Sequence, residues 1–217
     1  MPLSWQPLYD SMPPVQKLAF NAARYDAVDE KRVQAALLSM RQKSYNDELT
    51  IQAQNAGCHG VTGKAGAVIL EQLDAQGKLD AASIANTFNY FLSIEITRAG
   101  ERQPGASLEY YARTIANWMP SYWNYKDPVI VTTTDGSARA KAQQDFYIHN
   151  AAVKGVAKLE PRSAACPVCA GWSARGMVPL RVAMNNPPPY HVNCPHLWDT
   201  RPDTLPREAC PLLWMGE

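Results

Sequence analysis

The chain has 217 residues, 46% of them apolar and 19% charged, with 21 basic and 20 acidic side chains and a net charge of +1. This composition excludes a disordered chain, and the balanced charge excludes strong nonspecific attraction to nucleic acid or anionic membrane. No apolar run of about 18 residues is present to span a bilayer, and the start Met1-Pro-Leu-Ser-Trp-Gln-Pro lacks the basic-then-apolar pattern of a secretory signal.

Taken in chain order, residues 1 to 12 read as an arm with aromatic anchors at Trp5 and Tyr9. It docks either on its own core or on a neighbouring subunit. Pro13-Pro14 suits the first turn of a helix, and Val15, Leu18, Ala19 and Ala22 continue it. After a break near Tyr25-Asp26, a second helix places Val33, Leu37 and Met40 on one face. The loop Gly57-Cys58-His59-Gly60-Val61-Thr62-Gly63-Lys64 faintly resembles a phosphate loop, but Ala65 stands where Ser or Thr is required and no strand precedes it. Cys58 and Cys210 read as small apolar fillers.

A helix is expected from about Ala65 to Ala75, ended by Gly77. Another follows from an Asp80 cap and carries Ile84, Phe88, Phe91 and Leu92 as one apolar stripe. Gln103-Pro104-Gly105 is a turn, Ser107 caps a third helix, and Pro120 ends it. Tyr110, Tyr111, Trp118, Tyr122, Trp123 and Tyr125 then crowd together. Such rings fill a core, anchor a protein interface or stack on bases. Pro128 to Thr134 reads as a β-branched strand, Asp135-Gly136 as a turn, and 138–152 as a helix in which His149 is packed or exposed. A short strand is expected between Val153 and Leu159. The segment 137–162 carries a net charge of +3.

The chemistry is concentrated near the C-terminus. Cys166-Pro-Val-Cys169 is followed, after 21 residues, by His191-Val-Asn-Cys194-Pro-His196. A Cys-x-x-Cys turn brings two thiolates to one ion, with Gly171 expected to supply the freedom of a knuckle. His191-x-x-Cys194 adds an imidazole and a third thiolate. The expected metal ligands are therefore Cys166, Cys169, His191 and Cys194, around a structural zinc with no open position. His196 competes with His191 for the nitrogen position. Cys-x-x-Cys is also a redox pattern, but no thioredoxin context surrounds it. Three cysteines in metal spacing suggest a compartment where thiols stay reduced. No catalytic triad, carboxylate pair or phosphate loop is recognisable, so the chain is not expected to be an enzyme.

At these residues the chain resembles the tail of the minor head proteins of tailed bacteriophages, the phage-Mu-type head-morphogenesis family. The shared layout covers about residues 130–200. It comprises a basic helix (Ser137 to Ala152), the Gly155-Val156 step, Cys166 and Cys169, the proline-rich approach Asn186-Pro-Pro-Pro-Tyr-His191, and the ending Val-Asn-Cys194-Pro-His196. Family members often end in Cys-x-Cys, and His196 takes the place of that last cysteine. The resemblance implies a virion protein made in the host cytoplasm and located inside the head near the portal or the inner shell. It would be present in multiple copies and would contact portal or major capsid protein, with packaged DNA as a further contact and no membrane.

The expected fold class is α+β, with a mainly helical region over 1–127, a small zinc-stabilised α+β region over 128–200 and a C-terminal arm over 201–217. The alternative function is a zinc-ribbon module that binds nucleic acid through 137–162. A metallohydrolase is a weaker third reading, because Glu160 is the only carboxylate near the site on its N-terminal side.

Overall fold

The computed structural model describes residues 4–25, 27–159, 167–188, 194 and 196–217, with 27–29 as backbone only. The fold is mainly helical α+β. In chain order the elements are α1 (Gln6–Ser11), α2 (Pro14–Ala23), α3 (Ala27–Asn55), α4 (Ala67–Arg102), α5 (Leu108–His149), β1 (Gly155–Leu159), α6 (Pro167–Ala174), β2 (Val178–Pro179), α7 (Leu180–Met184) and β3 (Trp198–Pro202), followed by a 3-10 helix (Arg207–Leu212). The strands form one antiparallel sheet in the order β2-β1-β3, with Ala157 opposite Val178 on one side and Thr200 on the other.

The chain divides into two compact units, each built from two segments. The first comprises residues 1–36 and 76–127, the second 37–75 and 128–217. Residues 37–75 thus belong with the metal-motif region, although sequence grouped them with the N-terminal helices.

The core of the first unit is aromatic. Phe20, Phe88, Leu92, Ile96, Tyr111, Ile115 and Tyr122 are buried, and Trp5, Tyr9, Trp118 and Trp123 pack against them. Phe88 stacks on Trp123 with centroids 5.5 Å apart and meets Tyr122 edge-on at 5.3 Å. Offset and edge contacts suit the ring quadrupoles. The dense aromatic run is therefore mostly core, with Tyr125 exposed. Burial, Asp127 and Tyr25 push the Tyr122 phenol up to about 12. The N-terminal arm docks on its own unit: Trp5 stacks on Phe20 at 5.1 Å.

Several local readings are corrected here. Gly77 and Asp80 lie inside the continuous helix α4, where Asp80 accepts from Gln76 one turn earlier instead of capping. Pro120 does not end a helix, and 128–134 is not a strand, because both lie within α5. An internal proline costs about 3 kcal/mol, and strand preference is weak and context-dependent. From Thr134 to Tyr147 the helix is enclosed on most of its faces, and Ala138, Ala142, Phe146 and Tyr147 are buried. That burial outweighs the local preferences. Gly136, expected in a turn, is a helical position of close approach: a Cβ there would lie 3.3 Å from the Cys194 carbonyl oxygen. The expected turn at Gly105, the Ser107 cap on the Tyr110 N–H (3.4 Å) and the strand ending at Leu159 are all present.

The second unit has a core of Tyr45, Leu49, Ile69, Phe146, Leu159, Met184 and Trp198. A polar network runs through it. Buried Glu48 on α3 accepts from Gln52 at 2.5 Å and from Gln143 of α5 at 2.9 Å, and Arg139 approaches its other oxygen at 3.4 Å. Gln143 also donates to the Trp198 carbonyl at 2.9 Å, while Gln52 accepts from Tyr147 at 2.7 Å and Thr200 at 2.6 Å. Burial, the largest cause, raises the Glu48 carboxyl above its ordinary range; the bonds from Gln52 and Gln143 and the charge of Arg139 oppose this, and Asp135 adds to it.

The C-terminal arm closes on this unit. Trp214 exchanges hydrogen bonds with Asn150 at 2.8 and 3.0 Å and stacks on His149 at 4.2 Å. The glycine loop after α3 is held by the same arm. The N–H groups of Gly63 and Ala65 donate to Thr50 and Asn46, and those of Lys64 and Gly66 to the carbonyls of Met215 and Gly216. No N–H of these four residues is left for a phosphate. Cys58 and Cys210 form a disulfide with Cα atoms 5.4 Å apart. This overturns their reading as separate fillers, while the metal-spaced Cys169 and Cys194 are not disulfide-bonded. The pair is separated by 152 positions in sequence, and nothing local announces it.

Two outcomes are expected. In non-reducing buffer, Cys210→Ser lowers unfolding stability by about 5 kcal/mol, the loop-closure value for so long a loop, and the difference vanishes in reductant. Equal denaturation midpoints in both buffers would show that the bond does not form. The second concerns Glu48. A raised folded pKa means that the folded state binds more protons than the unfolded one, so this stability is full below the unfolded value and lost as pH rises through the folded value. The stability of Glu48→Gln relative to wild type therefore increases as pH rises from the ordinary glutamate range upward in urea titrations; a flat difference would refute the assignment.

Candidate metal centre

Among the described residues, Cys169, Cys194 and His196 are all buried, and one ligand atom from each lies within 4.8 Å of the others. The two sulfurs are 3.8 Å apart, and Cys194 Sγ is 3.4 Å from His196 Nδ1. A tetrahedral ion with bonds of about 2.3 Å to sulfur and about 2.05 Å to nitrogen places two sulfurs about 3.8 Å apart and a sulfur and nitrogen about 3.6 Å apart. The group has the spacing of a shared ion and can hold one.

Each ligand is positioned by a different piece of the fold. Cys169 lies in the first turn of α6, whose helical start suits Pro167 at its first position. Backbone N–H groups and the positive end of the helix favour a thiolate there. In place of the expected turn with a left-handed glycine, the described part of the motif from Pro167 onward is helical, and Gly171 lies in it without a left-handed φ. Cys194 follows the proline-rich approach, with its carbonyl against Gly136 of α5. His196 lies two residues before β3. Trp172 of α6 packs edge-on against Trp198 of β3 at 5.5 Å, and the Trp198 indole donates to the Asn186 carbonyl at 3.1 Å. Together with the bond from Gln143 to the Trp198 carbonyl, these contacts fix both sides of the site before any ion is considered.

Of the four expected ligands, Cys169 and Cys194 are brought together here, whereas Cys166 and His191 lie outside the described residues. Glu160, the carboxylate of the hydrolase reading, and Arg162 lie outside them as well. His196, the competitor for the nitrogen position, is in the group. Gly136 and the Trp172–Trp198 clamp were missed by sequence reasoning. The only available signal for the clamp was two tryptophans flanking the cysteine motifs.

In the basic segment, Arg139 pairs with Glu48 and Asp135, and Lys141 pairs with Asp145 at 2.8 Å. Lys154 donates to the Ala151 carbonyl. These contacts reduce the positive potential that the segment presents to a polyanion. Among the described residues no helix is long and apolar enough to cross a membrane. Comparison with family models, curated proteins and solved structures found no match.

A chelator test follows from the geometry. Wild-type protein purified without added metal unfolds at lower temperature after treatment with a strong chelator, whereas Cys194→Ser starts low and does not respond. A chelator-insensitive wild type would remove the metal from the account.

Proposed function

We propose that the chain is a structural minor head protein of a tailed bacteriophage, acting through protein contacts inside the head near the portal or inner shell, with a structural zinc in its second unit. The observation that supports this most is the buried Cys169, Cys194 and His196 group, which lies within the stretch resembling that family. In that resemblance His196 stands where the family often has cysteine, and it supplies a ligand atom to the group. Exchange of one ligand type for another at a single position is what a retained metal site permits. Thiolate and imidazole ligands with tetrahedral spacing favour zinc.

Cys166, three residues before Cys169, supplies the fourth ligand by Cys-x-x-Cys spacing, and His196 takes the nitrogen position in preference to His191. Such a site has no open position for chemistry and contributes on the order of 10 kcal/mol to folding around it. Major capsid or portal protein is the partner, with several copies in each particle and the chain itself made in the host cytoplasm.

The test is direct. Purified particles contain the chain in multiple copies, and the isolated chain carries one zinc that His191→Ala retains and His196→Ala loses. A chain that is monomeric and never recovered with capsid or portal protein would overturn the assignment. Loss of zinc in His191→Ala would overturn the ligand choice alone.

A further inference from the structure

A cleft of about 350 Å³ opens in the second unit between α3, α5 and β3. Its wall carries Glu48, Asn55, Gln143 and Asp199, with Ile51 and Leu197 as the apolar part. Its size is within the range of small-ligand sites.

The acceptors in this cleft outnumber the donors that meet them. The Gln143 amide is oriented by two bonds: its nitrogen donates to Glu48 and to the Trp198 carbonyl. Its oxygen is therefore assigned as well, and among the described residues that oxygen is buried without a hydrogen-bond partner. Gln143 itself is only 3% exposed. A buried, unmet acceptor costs about 1–3 kcal/mol, and a chain tolerates that most readily where a ligand meets it. The second Glu48 oxygen has only the long 3.4 Å approach of Arg139. Arg139 is shared with Asp135, and Asp199 pairs with Arg201 at 3.0 Å. Among the residues lining the cleft, two carboxylates, Glu48 and Asp199, stand against one guanidinium, Arg139.

We propose that this cleft binds an alkylammonium group, either a lysine side chain of a partner or a small free amine. The ammonium carries three N–H donors and one positive charge on a compact head. It would sit between Glu48 and the Gln143 oxygen, with its stem along Ile51 and Leu197. A divalent cation suits the site less well, because it takes about six oxygen ligands, and Glu48 and the Gln143 oxygen offer few. The inference is independent of the head-protein assignment and of the metal.

The probes are n-butylammonium and Nα-acetyl-lysine methylamide, with Nα-acetyl-norleucine methylamide as the neutral control. They are titrated into the full chain while the Gln143 and Asn55 side-chain amide signals are followed by NMR. Saturable shifts in the roughly millimolar range are expected, as ligand-efficiency bounds allow for so small a ligand. Glu48→Gln weakens binding at least about tenfold, the loss of one charge-assisted hydrogen bond. Asp199→Asn, at an exposed position, weakens it less and serves as the second variant if Glu48→Gln folds poorly. Binding of both cations supports the site with a free amine as a sufficient ligand; binding of the lysine amide alone supports it with a peptide-borne lysine. Absence of saturable shifts, equal binding of the norleucine control, or unchanged affinity in both variants would overturn the proposal.

Discussion

The second unit depends on a carboxylate that has been taken out of water. Glu48 is buried on α3, and a buried carboxylate is tolerated only when hydrogen bonds and an opposite charge answer it. Here the answer comes from three elements at once. Gln52 supports it from the same helix, Gln143 and Arg139 from α5, and Gln143 passes the connection on to the backbone of β3. Gln52 in turn holds Tyr147 and Thr200. Two helices and an edge strand are thereby held in one register by directional bonds, where apolar contact alone would tolerate sliding.

The same network reaches the metal group. Trp198, whose carbonyl accepts from Gln143, packs on Trp172 of the helix that presents Cys169. Gly136, about two turns of α5 before Gln143, admits the backbone of Cys194. The cysteines are thus held by the surrounding frame as well as by any ion, at sulfur–sulfur and sulfur–nitrogen spacings close to those of a tetrahedral site. The C-terminal arm makes a second closure by different chemistry, with the Cys58–Cys210 disulfide and the Asn150–Trp214 exchange holding the chain end against the loop after α3. One unit therefore holds two buried cysteines outside any disulfide while it oxidises another pair. The separation is spatial: Cys58 meets Cys210, and Cys169 and Cys194 stand beside each other and His196.

Much of the first unit was legible in the residues. The apolar stripe of Phe88 and Leu92, the turn at Gly105 and the cap at Ser107 are local signals, and local physics decides them. The most serious misreading was of Pro128 to Thr134, where β-branched residues after a proline gave every local sign of a strand. Enclosure of the following residues Thr134 to Tyr147 is a property of the packed unit, and helical spacing of Ala138, Ala142 and Phe146 carries more burial energy than strand preference can offset.

Residue spacing by itself placed Cys169 and Cys194 in one expected set of four metal ligands, with His191 or His196 as the nitrogen ligand, and pointed to a mainly helical α+β chain. Ligand spacing is a short-range geometric constraint, and it can be read from the order of the residues. Only the tertiary structure decided which of the described residues stand together: His196 in the group, Cys58 against Cys210, Gly136 against Cys194, and Gln143 against Glu48 across 95 positions of chain. These contacts depend on how distant segments close on one another. The free energy that selects them comes from burying the whole unit, and no local window of sequence contains it.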